Sequence, residues 1–494
     1  MLSAVYMAQT GSSAAASGTV PVSGMVAASG AVPVSGAAAL SASGLETFLE
    51  TVNQVVWGPW MICLFIGTGV FFSMSCGWMQ IRCARMWLWE SVGKYFSRKN
   101  RRQVSDFRSV CTILSATVGT GNLVGVSAAL IAGGPGAIFW MWAAAILGMM
   151  TAYAENVLGI LHRDEKTAGP MAYIQKLPYG RKLAVVYAFL CVCCGLGMGN
   201  LTQINTAAEA VSETFGIPAL VTGILFALVI AVVAAGGKER FGRVIMVVTP
   251  GMAAMFLTAC FFVLAGHREQ ILPALREIIS EAFRPEAAAG GAAGYGIQTA
   301  MRMGIARGVF TNEAGIGTSV FANEGNDGAS PKKQGFLAMF AVFADTIIMC
   351  TLTALVLLVS GIYDTAVYGA AAASGTLEKL PDATMLLVQS FETVFGKTGG
   401  IFLTVLTMVF AFSTLLAWSG FAGQAWNYCT RGRGNRFFYG IFLMVIVVGS
   451  VVCAQLVWQI SDLFNGAMAL INLTALLCCC RAVIDISQRN IDEL

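Results

Sequence analysis

The chain has 494 residues with 30 Lys and Arg against 26 Asp and Glu, so 11% are formally charged, where soluble domains carry roughly 25%. With 57% hydrophobic residues, this excludes a soluble enzyme and points to a polytopic helical membrane protein set in a lipid bilayer. The net charge of +4 reflects basic joints between apolar runs rather than a nucleic-acid surface, and no nucleic-acid motif occurs.

Residues 1 to 44 are almost entirely Ala, Ser, Gly, Val and Pro and lack Lys and Arg. They lack the basic start of a signal peptide and read as a flexible extracytoplasmic tail. The membrane-embedded body is expected over residues 45 to 494. Eleven apolar runs follow, at about 54–80, 107–132, 136–161, 183–213, 218–236, 241–265, 295–321, 333–361, 399–427, 436–458 and 461–481. Each is long enough to be a candidate span at 1.5 Å per residue.

Basic residues stay on the cytoplasmic side in short loops. Of the 30, 23 fall in the joints after the odd-numbered runs and in the C-terminal tail, whereas the other side has Arg268, Arg276, Arg284, Lys379 and Lys397. This predicts eleven transmembrane helices in the cell (inner) membrane, with the N-terminus outside and the C-terminus cytoplasmic. Segments 267–284 and 381–396 mix charge with apolar residues at helical spacing and read as amphipathic helices on the outer face.

The fourteen Cys lie mostly within apolar runs, so no disulfide framework is implied. His162 and His267 sit at opposite ends of different runs, each beside an Arg, which argues against imidazole catalysis or a His-ligated metal. No nucleophile and base converge, so an enzyme is not expected and no cofactor is implied.

Two runs are interrupted by paired glycines beside polar residues. Run 2 reads Ser115-Ala116-Thr117-Val118-Gly119-Thr120-Gly121-Asn122, and run 7 reads Phe310-Thr311-Asn312-Glu313-Ala314-Gly315-Ile316-Gly317. They stand five runs apart. If runs 2–6 (about 107–265) and runs 7–11 (about 295–481) are two units, each begins with a broken helix, and the odd number of spans inverts the second unit. At a break, free N–H groups attract an anion and free C=O groups a cation without any charged side chain. Run 4 adds Asn200, Gln203 and Asn205; run 9 adds Ser413, Thr414 and Trp418, with Thr414 and Trp418 on one helix face. Glu313 and Asp345, the carboxylates nearest mid-span in this reading, are expected to pair with Arg307 or Arg302.

Thr117–Val126, then Gly133-Gly134-Pro135-Gly136-Ala137 and Phe139-Trp140-Met141-Trp142, together with Arg307–Gly317 and Ala411–Trp418, resemble the signature regions of the alanine or glycine:cation symporter family. The resemblance covers about residues 50 to 480. It implies a LeuT-type fold, with one extra helix (about 54–80) ahead of a five-plus-five inverted repeat, and sodium symport of alanine or glycine by alternating access. It places the substrate carboxylate at Thr120 and Gly121, and the amino group and side chain near Gln203, Asn312, Ile316, Thr414 and Trp418. It places Na⁺ among carbonyls of Ser115, Val118 and Phe410 and hydroxyls of Ser413 and Thr414. The chain departs from the family after Trp418, where Ser419-Gly420-Phe421-Ala422-Gly423-Gln424 replaces a more usual Ser-Tyr-Tyr-Gly-Glu, and at Thr318-Ser319-Val320. These departures bear on substrate size and selectivity. The alternatives are a proton-driven transporter of the same architecture, with Glu313 or Asp345 as carrier, and an ion channel lined by runs 2 and 7.

Overall fold

The computed structural model describes residues 48–49, 51–93, 101–164, 167, 169–284, 296–323, 329–374, 376–377, 380–452 and 454–489. The N-terminal tail expected over residues 1 to 44 lies outside them. So do Lys94, Arg98, Lys99, Lys166 and Lys379 of the joints.

The described chain is helical at every apolar run. Helix α1 (Pro59–Ser75) opens on a proline at its first position, where the missing N–H costs nothing. A short α2 (Ala84–Ser91) leads to α3 (Arg101–Thr117) and α4 (Val124–Gly133). These are followed by α5 (Gly136–Leu161), α6 (Gly180–Leu196), α7 (Thr202–Phe215), α8 (Ala219–Ala235) and α9 (Gly237–Gly266). The second half contains α10 (Ile271–Glu281), α11 (Ile297–Asn312), α12 (Pro331–Val342), α13 (Thr351–Val359), α14 (Thr365–Ser374) and α15 (Ala383–Phe395). It ends with α16 (Thr398–Thr430), α17 (Asn435–Gly449), α18 (Ala454–Cys478) and α19 (Cys480–Gln488).

Among the described residues, six helical segments are long and apolar enough to cross a membrane: α5, Gly180–Phe215, α9, Pro331–Val359, α16 and Leu456–Cys478. The pair α3 and α4, bent by 60° at a short break, makes a seventh. At 17, 17 and 15 residues, α1, α8 and α17 reach about 25 Å or less. The run expected at 436–458 is divided, because α17 stops at Gly449 and α18 begins at Ala454.

Helix α16 runs unbroken for 33 residues and forms the spine of the bundle. It packs on α3, α6, α7 and α9 through a face that includes Phe410, Leu415, Trp418 and Phe421, all buried. The two amphipathic segments form α10 and α15. The first buries Ala274 and Ile278 while exposing Leu272 and Ile279. Asp382 caps the second, its carboxylate accepting from the Met385 N–H at 2.8 Å.

Candidate functional site

An interrupted helix in an apolar bundle leaves backbone N–H and C=O groups that water cannot satisfy, at several kcal/mol each. Side chains from other helices must therefore reach both breaks. The hydrogen bonds around them are specific.

The first break lies between α3 and α4. Gly119 is extended, and its N–H donates to Asn122 Oδ1 at 3.0 Å, closing a local loop. The Thr120 N–H and hydroxyl both donate to Gln203 Oε1, each at 3.1 Å. A π-helical turn at Gly197–Leu201, between α6 and α7, sets the orientation of that amide. Gln203 Nε2 donates to the Met198 carbonyl at 3.1 Å and to Thr202 Oγ1 at 3.2 Å, so Oε1 must face the break.

On the opposite side, Thr414 Oγ1 of α16 donates to the Val118 carbonyl at 3.3 Å, and Ser413 Oγ to the Ser115 carbonyl at 3.3 Å. Ser115 Oγ in turn donates to the Ser413 carbonyl at 2.8 Å. Carbonyls and hydroxyls from α3 and α16 thus share one small region, and oxygen donors alone suit a hard cation. Phe410 lies one turn earlier on α16, its ring against Phe256 at 6.0 Å.

Close approach explains the glycine at 119. A Cβ there would lie 2.6 Å from Thr414 Oγ1 and 2.9 Å from Gln203 Oε1. Gly119→Ala is expected to abolish uptake in proteoliposomes, a loss of at least about 100-fold, corresponding to ~2.7 kcal/mol. Wild-type uptake by that variant would show that these helices do not need to meet there.

The second break follows α11. Glu313, Gly315 and Gly317 all have positive φ, at 56°, 91° and 92°. That sequence of left-handed residues requires the glycines and places strain at Glu313. Asn312 Oδ1 accepts from the Ala314 N–H at 3.0 Å, and its Nδ2 donates to Thr346 Oγ1 at 3.0 Å. The Ile316 carbonyl accepts from the Tyr187 hydroxyl at 2.6 Å. Glu313 takes Trp418 Nε1 at 3.0 Å and the Thr318 hydroxyl. The predicted Thr414–Trp418 face therefore reaches both breaks. Gly121 also touches the second segment, with its Cβ position 3.4 Å from Phe310 and Thr311 side-chain atoms. Among the described residues, no hydrogen bond joins Asn312 or Ile316 to Thr120, Gln203 or Thr414.

The expected pairing of Glu313 or Asp345 with Arg307 or Arg302 is corrected. Arg307 faces Asp462 of α18 at 3.4 Å and lies over the rings of Phe310 and Trp458 at 5.7 and 5.1 Å. Asp345 instead accepts from Asn122 Nδ2 at 2.7 Å and from Thr346 Oγ1 at 2.9 Å. Both Asp345 and Thr346 lie on a π-helical stretch, Phe343–Cys350, between α12 and α13. These two neighbours hold Asn122 of the first break and Asn312 of the second.

Sequence reasoning missed Glu155. This buried residue of α5 accepts from the Gly315 N–H at 2.8 Å and from Asn472 Nδ2 at 2.7 Å, with Ser319 Oγ at 3.5 Å. Its signal was present: a lone carboxylate inside the apolar run 136–161.

A helical bundle whose longest members are apolar enough to span, and whose broken segments are held by buried polar side chains, is of the membrane-transporter class. Residues 42–491 match the sodium:alanine symporter family, and the chain belongs to that family of cation-coupled amino-acid symporters. It is a multi-pass membrane protein of a family of transporters, not enzymes. It is 37% identical to the sodium/alanine symporter AgcS of Methanococcus maripaludis, over 87% of this chain and 94% of the relative. It is 28% identical to a putative sodium/proton-dependent alanine carrier protein, YrbD, of Bacillus subtilis, over 87% and 90%. Its fold is similar to that of a mutant manganese transporter from Eremococcus coleocola, with a TM-score of 0.52 at 12% identity over 77% and 81% of the chains.

Proposed function

We propose that this protein imports a small neutral amino acid, alanine or glycine, by symport with Na⁺ through alternating access. The proposed frame is eleven spans, one extra helix followed by a five-plus-five inverted repeat of LeuT type, in the inner membrane with the N-terminus outside. The observation that carries the reading is the oxygen cluster joining α3 to α16: the Ser115 and Val118 carbonyls with the Ser413 and Thr414 hydroxyls. Na⁺ at that cluster, with the Phe410 carbonyl as a further ligand, ties the first break to the spine. The substrate carboxylate replaces Gln203 Oε1 at the Thr120 and Gly121 backbone. Its amino group and side chain lie toward Asn312, Ile316, Thr414 and Trp418.

A crossed arrangement supports the repeat. Glu155, on the second long helix of the first half, holds the break that opens the second half. Asp345, on the second long helix of the second half, holds the break that opens the first. The skew of basic residues supports the orientation.

Transport is driven by the sodium gradient and by the membrane potential, worth ~2.3 kcal/mol per charge per 100 mV. In proteoliposomes, uptake of labelled alanine or glycine is expected to require an inward Na⁺ gradient. Uptake unchanged when K⁺ replaces Na⁺ would overturn the reading. A second reading, proton coupling, is favoured by one observation. Glu155, Glu313 and Asp345 are buried, and among the described residues their hydrogen-bond partners are all uncharged. Uptake that follows an imposed pH gradient without Na⁺ would establish it.

A further inference from the structure

The joint after α1 is built more elaborately than a connector needs. Gly77 and Trp78 follow α1 with φ of 67° and 54°. Left-handed backbone at a tryptophan is strained, and here the Trp78 indole stays on the surface. A single helical turn, Met79–Arg82, then leads to α2. Trp87 fixes α2 to the bundle. Its buried ring meets Phe343 and Phe340 at 5.2 and 6.4 Å, and its indole N–H donates to the Gln80 carbonyl at 3.0 Å. The other face of α2 is open, with Arg85, Met86, Leu88 and Trp89 exposed.

A cleft of about 770 Å³ runs along that face, walled by Arg82, Arg85, Met86, Leu88, Trp89 and Gly93. Two glycines seat its side chains. A Cβ at Gly77 would lie 3.2 Å from Arg82 Nη1, and one at Gly93 would lie 2.2 Å from the Trp89 ring. Guanidinium and indole thus rest against bare backbone, which lowers the entropy lost when a ligand orders them. The charge of the cleft is one-sided. From Arg82 to Arg108 the chain has eight basic residues and two acids. Of the acids, Glu90 is buried, and Asp106 accepts from Gln334 Nε2 at 3.0 Å and from Lys333. Among the described residues, Arg82 and Arg85 make no hydrogen bond or ion pair.

Two guanidiniums without a carboxylate suit a phosphodiester, which arginine meets through paired N–H donors. A small free anion would leave Met86, Leu88 and Trp89 facing water, at a cost in apolar surface. A zwitterionic headgroup would bring an ammonium to the same arginines with no acid to receive it. An anionic lipid fills both needs, and exposed indoles suit the headgroup level of a bilayer. We propose that this cleft binds an anionic phospholipid of the phosphatidylglycerol type. Its phosphodiester lies on Arg82 and Arg85, and its acyl chains run along Met86, Leu88 and Trp89. The cleft stands among the basic joints, so in the orientation proposed above the lipid comes from the cytoplasmic leaflet, where anionic lipid and basic pockets meet. The choice of leaflet rests on that orientation; the choice of headgroup does not.

The test is native mass spectrometry of the purified full-length protein in maltoside detergent, titrated with palmitoyl-oleoyl phosphatidylglycerol or phosphatidylcholine. Wild type is expected to hold one phosphatidylglycerol at least about tenfold more tightly than phosphatidylcholine. Inorganic phosphate at millimolar concentration should not displace it. The Arg82→Gln/Arg85→Gln double variant, which alters two exposed side chains, should weaken phosphatidylglycerol roughly 30-fold. If that variant fails to fold, Arg85→Gln alone, with an expected loss of roughly fivefold, decides the matter. Arg433→Gln/Arg436→Gln, at two exposed arginines of a different basic joint, should bind as wild type does. Equal retention of the two lipids by wild type, or an equal loss in both double variants, would overturn the site. Displacement by phosphate would reveal a small-anion site and overturn the lipid.

Discussion

Replacing Thr414 with Val is expected to raise the Na⁺ concentration for half-maximal uptake by roughly ten- to a hundred-fold, or about 1.4–2.7 kcal/mol. The Thr414 hydroxyl sits 3.3 Å from the Val118 carbonyl, where α16 meets the first break. Valine fills nearly the same space but offers no oxygen, so the variant removes one of the proposed cation ligands and leaves the packing of α16 largely intact. Thr414→Ser retains the oxygen and should behave nearly as wild type. The measurement is uptake against Na⁺ concentration at saturating amino acid, with thermal unfolding as a check on folding. An unchanged Na⁺ half-saturation in Thr414→Val would remove sodium from this place.

Glu155→Ala is expected to destabilise the protein by about 2–6 kcal/mol, because the Gly315 N–H and the Asn472 amide each lose their acceptor at about 1–3 kcal/mol per buried group. These are the two short bonds Glu155 makes, at 2.8 and 2.7 Å. The damage is aimed at the second break, so transport should fall more than the amount of folded protein. Glu155→Gln keeps one acceptor oxygen and presents its amide N–H₂ to Ser319, so most of the stability should return. Thermal unfolding in detergent, paired with uptake, separates the two effects. A Glu155→Ala protein with unchanged melting and transport would show that the second break does not depend on this carboxylate.

The sequence made both breaks legible, because glycine pairs beside polar residues are conspicuous in apolar runs. It also made legible the helix that joins them, because Thr414 and Trp418 repeat at a helical interval. Elements whose cause lies in distant partners were not legible. The π-helical stretch at Phe343–Cys350 contains no glycine or proline to announce it. Glu155 was visible as a charge in an apolar run, but its partners stand 160 and 317 positions away. Arg307 was assigned to nearby carboxylates, yet residues six apart on a helix face different sides. Its partner is Asp462, which only the tertiary packing brings near.

The crossed carboxylates bear on how the chain is made. Asn122 in the first break finds Asp345 only 223 positions later, and Ser115 finds Ser413 after 298. At a synthesis rate of roughly 5–20 residues per second, the first interval alone lasts about 10–45 s. Throughout it, the Asx loop between Gly119 and Asn122 and the tight turn beside it are the bonds the first break can make within itself. The first broken helix therefore enters the bilayer unfinished, and its maturation waits for the far half of the protein to emerge from the ribosome.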